Sequence, residues 1–225
     1  MKSVVAHAKR NKTMPAIFAI AFALSVFFGG LPDARAAETP KKSLVFLGDS
    51  LTAGFGVERS EAFPSLIAEK IRAAGLPFEV ENAGLSGDTS AGGLRRIDWL
   101  LQRPIDVLVV ELGANDGLRG LDLKSMKANL QAIIDKAKAK NPAVKIVLAG
   151  MQVPPNLGAE YASGFQRVFN ELARDNNAVL IPFLLEGVGG QRELNQADLI
   201  HPNPAGHRIV ADLVWRTLEP ILRKP

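Results

Sequence analysis

The chain has 225 residues, of which 47% are hydrophobic and 22% charged, a composition typical of a folded domain and not of a disordered or fibrous protein. It contains no cysteine, which excludes disulfides, thiolate metal ligands and a cysteine nucleophile. Five of the 27 basic residues but one of the 23 acidic residues lie within residues 1–36, so 22 of each sign remain elsewhere. The net charge of +4 therefore belongs to the N-terminus, and nucleic acid is not expected as a partner.

The first 36 residues have the pattern of a secretory signal peptide. Four basic residues precede an apolar run over residues 16–28, and a small-residue Ala-Arg-Ala cleavage site ends at Ala36. A membrane anchor is the alternative, but the run is shorter than the roughly 20 residues that cross a bilayer. We expect cleavage after Ala36, a periplasmic or secreted protein that begins at Ala37, and no stable membrane anchor after removal of the signal.

Residues 37–225 alternate between short apolar runs and longer amphipathic stretches. The apolar runs predict five strands: Leu44–Leu47, Phe78–Glu81, Val107–Leu112, Ile146–Gly150 and Val179–Pro182. Apolar residues at helical spacing predict four helices: Phe63–Ala74, Lys124–Lys140, Ser163–Asn176 and Ala205–Leu222. Such alternation is typical of a parallel sheet covered by helices on both faces. We therefore expect one α/β domain of three layers, α/β/α, around a five-stranded parallel sheet.

A serine follows the first predicted strand directly, in the segment Gly48-Asp49-Ser50-Leu51. Ligands of open parallel sheets bind at the carboxyl ends of the strands, so Ser50 lies where a nucleophile would be placed. The alternative is an ordinary turn in which Ser50 caps a helix. The segment differs from the Gly-x-Ser-x-Gly nucleophile elbow of the α/β-hydrolases.

A serine nucleophile needs a base, and histidine is the usual one. Of the three histidines, His7 lies in the predicted signal peptide and His207 lies within the last predicted helix. His201 lies in a polar loop between prolines, three residues after Asp198. At that spacing a carboxylate can reach the imidazole and stabilise its charged form. The alternative is a local Asp–His pair that caps the last helix. Two histidines and no cysteine outside the signal peptide argue against a usual zinc site.

Two further segments after predicted strands offer donors for an oxyanion. Gly84 can bring its backbone N–H close to a bound carbonyl, and Asn115 carries a side-chain amide. Either segment alone is typical of a turn. Together with the N–H of Ser50 they give three donors, one from each of three consecutive strand ends.

At these places the sequence resembles the SGNH hydrolases, also called GDSL esterases/lipases. The matching segments, in order, are Gly48-Asp49-Ser50-Leu51, Gly84, Gly113-x-Asn115-Asp116 and Asp198-x-x-His201-Pro202. The resemblance extends from about Ser43 to Leu222 and implies a flavodoxin-like fold. It implies Ser50 as nucleophile, His201 as base and Asp198 as its orienting partner. Ser50, Gly84 and Asn115 would form the oxyanion hole, and the family uses no metal or other cofactor.

Residues 86–90, 110–120, 155–158 and 200–203 further resemble the bacterial branch of acyl-CoA thioesterase I, lysophospholipase L1 and protease I. That branch is periplasmic and hydrolyses thioesters, aryl esters and lysophospholipids. In it, the counterpart of the loop Gly117–Asp122 covers the acyl chain and can move. Ala114 stands where close relatives have a second glycine.

The resemblance predicts a small-molecule acyl ester or thioester as substrate and an apolar trough for the acyl chain. The candidate substrate-binding residues lie next to predicted strand ends: Asp49, Leu51, Gly117, Leu118, Leu121, Val153, Pro154 and Pro155. Plain core or loop packing is the alternative for the apolar ones. A carbohydrate O-acetylesterase, or a non-catalytic periplasmic binding or assembly protein on the same fold, are the alternative functions. Nothing in the sequence demands more than a monomer.

Overall fold

The computed structural model describes residues 40–224, so the predicted signal peptide lies outside the described residues. The five strands are β1 (Lys42–Gly48), β2 (Phe78–Gly84), β3 (Val107–Glu111), β4 (Lys145–Ala149) and β5 (Val179–Ile181). The α-helices are α1 (Ser50–Ala53), α2 (Phe63–Ala73), α3 (Ser90–Leu100), α4 (Ala114–Leu118), α5 (Leu123–Lys140), α6 (Ala159–Asn176) and α7 (Pro204–Leu222). Short 3₁₀-helices span Arg59–Glu61, Pro155–Leu157 and Arg192–Leu194.

All five strands pair in parallel, in the order β2-β1-β3-β4-β5. Every residue of β3 is buried, which agrees with its continuous apolar sequence and its central place in the sheet. This strand order is that of flavodoxin-like folds, in which the crevice for ligands opens beyond the carboxyl ends of β1 and β3. The predicted five-stranded parallel sheet is confirmed.

The helices form two groups, because α3 contacts α5 and α5 contacts α6, whereas α2 contacts α7. Each long helix buries the apolar stripe that its sequence predicts, as α5 does through Met126, Leu130, Ile133, Ile134 and Ala137. Local side chains set where helices begin: Asp122 accepts the N–H of Ser125 at 2.8 Å at the start of α5. The predicted three-layer α/β/α arrangement is confirmed.

Three helices, α1, α3 and α4, were not predicted from the sequence. Two of them are short, and α3 carries two adjacent glycines that lower its helix propensity. Within residues 40–224, no helix is both long enough and apolar enough to cross a membrane.

Candidate active site

The site begins where β1 turns into α1. Asp49 caps this helix, and its Oδ1 accepts the N–H of Leu51 at 3.0 Å. Ser50 is the first residue of α1, so its own N–H has no acceptor within the helix. A side chain at Gly48 would overlap Thr52 and Glu111, so only glycine lets the strand turn this closely. The local sequence thus places the Ser50 hydroxyl at the carboxyl end of the sheet.

A loop 151 residues further along the chain brings an imidazole to this hydroxyl. Nε2 of His201 lies 2.9 Å from Oγ of Ser50. On the other side of the ring, Nδ1 lies 2.6 Å from Oδ2 of Asp198. With the ring proton on Nδ1, that atom donates to Asp198, and Nε2 can accept the hydroxyl proton of Ser50. The structure thus brings together the three residues that the sequence analysis selected.

The loop of Asp198 is organised around its carboxylate. Oδ1 accepts the backbone N–H groups of Ile200 at 2.9 Å and of His201 at 3.0 Å. Burial opposes ionisation of Asp198, but the hydrogen bonds from His201 and Ile200 outweigh it and lower the pKa of this carboxyl to about 2. Asp198 is therefore ionised at neutral pH and faces the imidazole with a full charge.

Asn115, near the start of α4, points its amide toward the nucleophile segment. Nδ2 donates to Oδ2 of Asp49 at 3.1 Å and to the carbonyl of Asp88 at 2.9 Å. The amide is thus held by two acceptors, one from the turn after β1 and one from the turn after β2. The amide therefore lies within hydrogen-bonding distance of Asp49, the residue that precedes Ser50.

The backbone N–H of Gly84 is occupied by another partner. Gly84 is the last residue of β2, and its N–H donates to Oδ1 of Asn82 at 2.9 Å. A side chain at Gly84 would overlap the backbone of Ala53, so this glycine serves close packing of β2 against α1. In this structure its N–H is not available to an oxyanion.

A second glycine, three residues later, has the accessible N–H that Gly84 lacks. Residues Leu85 to Asp88 form a turn closed by a 3.0 Å bond from the N–H of Asp88 to the carbonyl of Leu85, with Gly87 at φ +80°. Among residues 40–224, no hydrogen-bond acceptor pairs with the N–H of Gly87. Because Asn115 bonds the carbonyl of the next residue, Asp88, this turn lies beside the amide.

The comparisons with known proteins agree with this geometry. The family model described as the GDSL-like Lipase/Acylhydrolase family matches residues 46–209, more than half of the chain. The chain belongs to this family. It is accordingly an enzyme that acts on ester bonds, and the resemblance to the SGNH hydrolases and the expected ester-hydrolysing activity are confirmed.

Three curated relatives are similar over most of their length. Esterase TesA of Pseudomonas aeruginosa is 42% identical over 182 residues, covering 80% of this chain and 90% of the relative. An arylesterase of Vibrio mimicus is 36% identical, covering 81% and 91%. Thioesterase 1/protease 1/lysophospholipase L1 of Escherichia coli is 36% identical, covering 84% and 87%. A crystal structure of TesA superposes with a TM-score of 0.77 at 40% identity, covering 80% of this chain and 99% of that one.

The predicted substrate-binding residues of this family member differ in exposure. Leu118 and Leu121 are exposed, Val153 is half-buried and Pro154 is exposed. Leu51 is buried in the hydrophobic core, so it belongs to the packing beneath the site. The structure describes nothing of the side chain of Pro155.

Gly117 serves packing rather than flexibility. It lies within α4, and a side chain there would overlap Val153 and Phe165. Gly120 adopts a left-handed backbone conformation, with φ +62°, and a side chain at this position would point into open space. The loop therefore turns at this residue. The end of the loop is held by Tyr161, whose hydroxyl donates to the carbonyl of Leu121 at 2.8 Å.

Two buried carboxyls lie below Ser50. Asp49 and Glu111 are both buried, and Oε2 of Glu111 accepts the N–H of Asp49 at 3.1 Å and the hydroxyl of Thr52 at 2.7 Å. Burial raises the pKa of Asp49 to about 6. Burial, followed by the charge of Asp49, raises the pKa of Glu111 well above its usual range. The sequence analysis did not single out Glu111, since an acid at the end of a strand gives no sign of its burial.

His207, which the sequence placed within the last helix, has a structural role. It is buried, and its Nδ1 accepts the N–H of Phe63 at 3.3 Å. Burial lowers the pKa of His207 to about 4. The ring is therefore neutral at physiological pH and joins α7 to α2.

Proposed function

We propose that this protein is a serine hydrolase that cleaves carboxylic esters and thioesters through an acyl-enzyme on Ser50. The hydroxyl attacks the carbonyl carbon while Nε2 of His201 takes its proton, and the alcohol or thiol leaves with that proton. Water then gives a proton to His201 and attacks the acyl-enzyme. As the bond from the acyl carbon to Oγ breaks, His201 returns the proton to Ser50 and the acid is released. One observation carries the proposal: Ser50, His201 and Asp198 form a continuous hydrogen-bonded series at 2.9 and 2.6 Å.

Asp198 supports both steps in this mechanism. Its hydrogen bond holds the proton on Nδ1, so that Nε2 faces Ser50 as an acceptor. The imidazolium that forms during attack is stabilised by a carboxylate that stays ionised, since its pKa is about 2. The same contact turns His201 into the acid that protonates the leaving group.

Three donors would bind the oxyanion of the tetrahedral intermediate. They are the N–H of Ser50, the amide of Asn115 and the N–H of Gly87, which we propose in place of Gly84 because the latter is bonded to Asn82. Asn115 is held by protein acceptors in the structure. Substrate binding would exchange one of these bonds for a bond to the carbonyl oxygen, whose growing charge makes it the stronger acceptor.

The acyl chain would lie against the apolar residues that follow β3 and β4. Leu118 and Leu121 are exposed at the carboxyl end of the sheet, and Val153 packs beside Gly117. Exposed leucines favour an acyl chain over a carbohydrate acetyl group, because a hydroxylated sugar gains little from apolar contact. The names of the relatives support aryl esters, thioesters and lysophospholipids as substrate classes for this chain.

The place of action follows from the sequence. We propose that residues 1–36 are a signal peptide and that the protein works in the periplasm as a monomer with no membrane anchor. The relatives match 80–84% of this chain, and the family match begins at residue 46, which agrees with a leader that precedes the enzyme domain.

The proposal is tested with the purified protein, Ser50→Ala and Ser163→Ala, a control that removes an exposed hydroxyl on α6. The substrates are p-nitrophenyl acetate and octanoate, palmitoyl-CoA, lysophosphatidylcholine and acetylated xylan, and a fluorophosphonate probe reports the reactive serine. We expect Ser50→Ala to lose the label and roughly 10⁴-fold or more in kcat, and Ser163→Ala to keep both. Equal rates on acetate and octanoate would argue against the acyl site, and activity on xylan alone would favour the acetylesterase alternative.

A further inference from the structure

The chemistry of the proposed mechanism decides which surface meets the leaving group. The proton that Nε2 of His201 takes from Ser50 must pass to the departing oxygen or sulfur. That atom must therefore come within hydrogen-bonding reach of Nε2, roughly 3 Å away. Whatever surrounds the imidazole on its accessible side then contacts the alcohol or thiol part of the substrate and not the acyl part. This inference rests on the proposed function.

The side chain of Phe55 packs against the imidazole of His201. Its ring centroid is 4.7 Å from the centroid of the His201 ring, with the two planes tilted by 45°. The side chain is 49% exposed, so about half of this large apolar surface packs on the protein and the rest is open to a ligand. Phe55 follows Gly54, the C-terminal cap of α1, and its N–H donates to the carbonyl of Ser50 at 3.0 Å. The aromatic ring is thus placed by the same turn that places the nucleophile.

Gln196 ties this aromatic residue to the histidine loop. Its backbone N–H donates to the carbonyl of His201 at 2.8 Å. Its side-chain Nε2 donates to the carbonyl of Phe55 at 2.6 Å and to that of Pro202 at 3.1 Å. A side chain at Gly56, which has φ +76°, would overlap this amide. Two segments distant in sequence are therefore joined by one side chain at the position where the ring meets the imidazole.

Phe55 differs in exposure from the phenylalanines of the core. The large phenylalanines that build the core, such as Phe46, Phe63 and Phe165, are fully buried. Hydrogen bonds to the backbone of Phe55 hold this residue where its ring is half-exposed. A ligand that covers the exposed part of the ring removes apolar surface from water, which is favourable. An aromatic ring of a substrate would gain an offset or edge contact there.

We propose that Phe55 forms the apolar wall of a leaving-group subsite and makes the enzyme prefer esters of aryl alcohols to esters of small alkyl alcohols. Residues Leu199 and Ile200, which precede His201 and are exposed, lie on the loop that Gln196 joins to Phe55. The acyl chain contacts a different segment, the one that follows β3. Because Phe55 contacts the alcohol part of the substrate, it affects acylation. It has no effect on deacylation, which begins after the alcohol has left.

The test uses two esters that give the same acetyl-enzyme, 2-naphthyl acetate and ethyl acetate. Because deacylation is common to both, kcat/KM isolates the steps up to alcohol release. For Phe55→Ala we expect kcat/KM to fall about three- to tenfold on naphthyl acetate and less than about twofold on ethyl acetate. Phe55→Tyr, which keeps the ring, should retain the preference. Trp99→Ala removes a 66% exposed aromatic from α3 and should leave both values unchanged.

A second series varies the acyl group with one leaving group, through p-nitrophenyl acetate, butyrate and octanoate. We expect Phe55→Ala to lower all three by the same factor. An equal loss on both acetates, with a shifted pH profile, would make Phe55 a positioning residue for His201 and overturn the subsite. A loss that grows with acyl length would place it in the acyl site, and unchanged kinetics would refute any contact. Failure of the proposed function itself would give a different result, because Ser50→Ala would then keep full activity.

Discussion

The substitution Glu111→Gln tests how the buried carboxyl pair below the nucleophile is protonated. Glu111 is fully buried, and its Oε2 accepts two hydrogen bonds, whereas its Oε1 has no donor among residues 40–224. The charge of Asp49 raises the pKa of Glu111, and the backbone N–H of Asp49 is one of the two donors to Glu111. Burial raises the pKa of both carboxyls, and the charge of Asp49 further opposes ionisation of Glu111. We therefore expect the pair to hold one shared proton, on Glu111, while Asp49 is ionised, and the substitution tests this expectation.

A glutamine reproduces this protonated glutamate. Its carbonyl oxygen can accept the N–H of Asp49 and the hydroxyl of Thr52, and its amide can donate to the carboxylate of Asp49. We expect the free energy of unfolding to change by less than about 1 kcal/mol. Glu111→Ala, in contrast, leaves two buried donors unpaired, at about 1–3 kcal/mol each, and a cavity besides. For the alanine variant we therefore expect a loss of about 3–6 kcal/mol.

Urea unfolding at pH 7 measures both variants, and kcat/KM on p-nitrophenyl butyrate reports the site. We expect Glu111→Gln to stay within about threefold of the parent, because Asp49 remains ionised and keeps its bond to Asn115. If glutamine cost as much stability as alanine, Glu111 would have to be ionised in the folded protein. The assignment of the shared proton would then be wrong.

Two further predictions concern the oxyanion donor and the acid stability. Asn115→Ala should lower kcat by about 10²–10³ with little change in KM, measured by steady-state kinetics; an unchanged kcat would remove Asn115 from the oxyanion hole. Burial lowers the pKa of His207 to about 4 in the folded protein, against 6.5 when unfolded. As the pH falls from 6.5 toward 4, the unfolded state therefore binds a proton that the folded state does not, and the free energy of unfolding falls by up to about 3 kcal/mol. His207→Asn keeps an acceptor for the N–H of Phe63 and should abolish this pH-dependent loss of stability. The difference in the free energy of unfolding between parent and variant, measured at pH 7 and pH 4.5, should therefore change. A constant difference would contradict the reasoning.

The sequence predicted the sheet well because most strands are short apolar runs between polar segments, although β2 carries two glutamates and an asparagine. The predicted strands all lie within two or three residues of those observed, and the long helices within four. Helix α3 was missed for a tertiary reason. Its adjacent glycines, Gly92 and Gly93, argue against a helix locally, yet a side chain at Gly93 would overlap Leu112. Close packing of α3 on the sheet, invisible in a local pattern, requires the residue that lowers its propensity.

Tertiary contacts that a local pattern does not show also decide which site residues the sequence could indicate. The sequence could indicate Ser50, Asp198 and His201, which the structure brings together, because their residue types are informative in combination and Ser50 directly follows a strand. The bond between Gly84 and Asn82 depends on a rotamer, which is held by a bond from Nδ2 of Asn82 to the carbonyl of Thr52 at 2.8 Å. Phe55 gave no signal, since an aromatic after a turn is common. Only the fold shows that it meets a ring 146 positions away.

The buried pair also bears on the charge balance of the site. The charge of His201 lowers the pKa of Asp49, although burial outweighs this effect. In the proposed mechanism, the charge that forms on the imidazole during attack would be stabilised by Asp198 through direct contact, with Asp49 as a second carboxyl close to Ser50. Two buried negative charges would repel each other, so an ionised Asp49 opposes ionisation of Glu111. The register that pairs Gly48 of β1 with Glu111 of β3 thus places a carboxyl that resists ionisation next to the nucleophile segment.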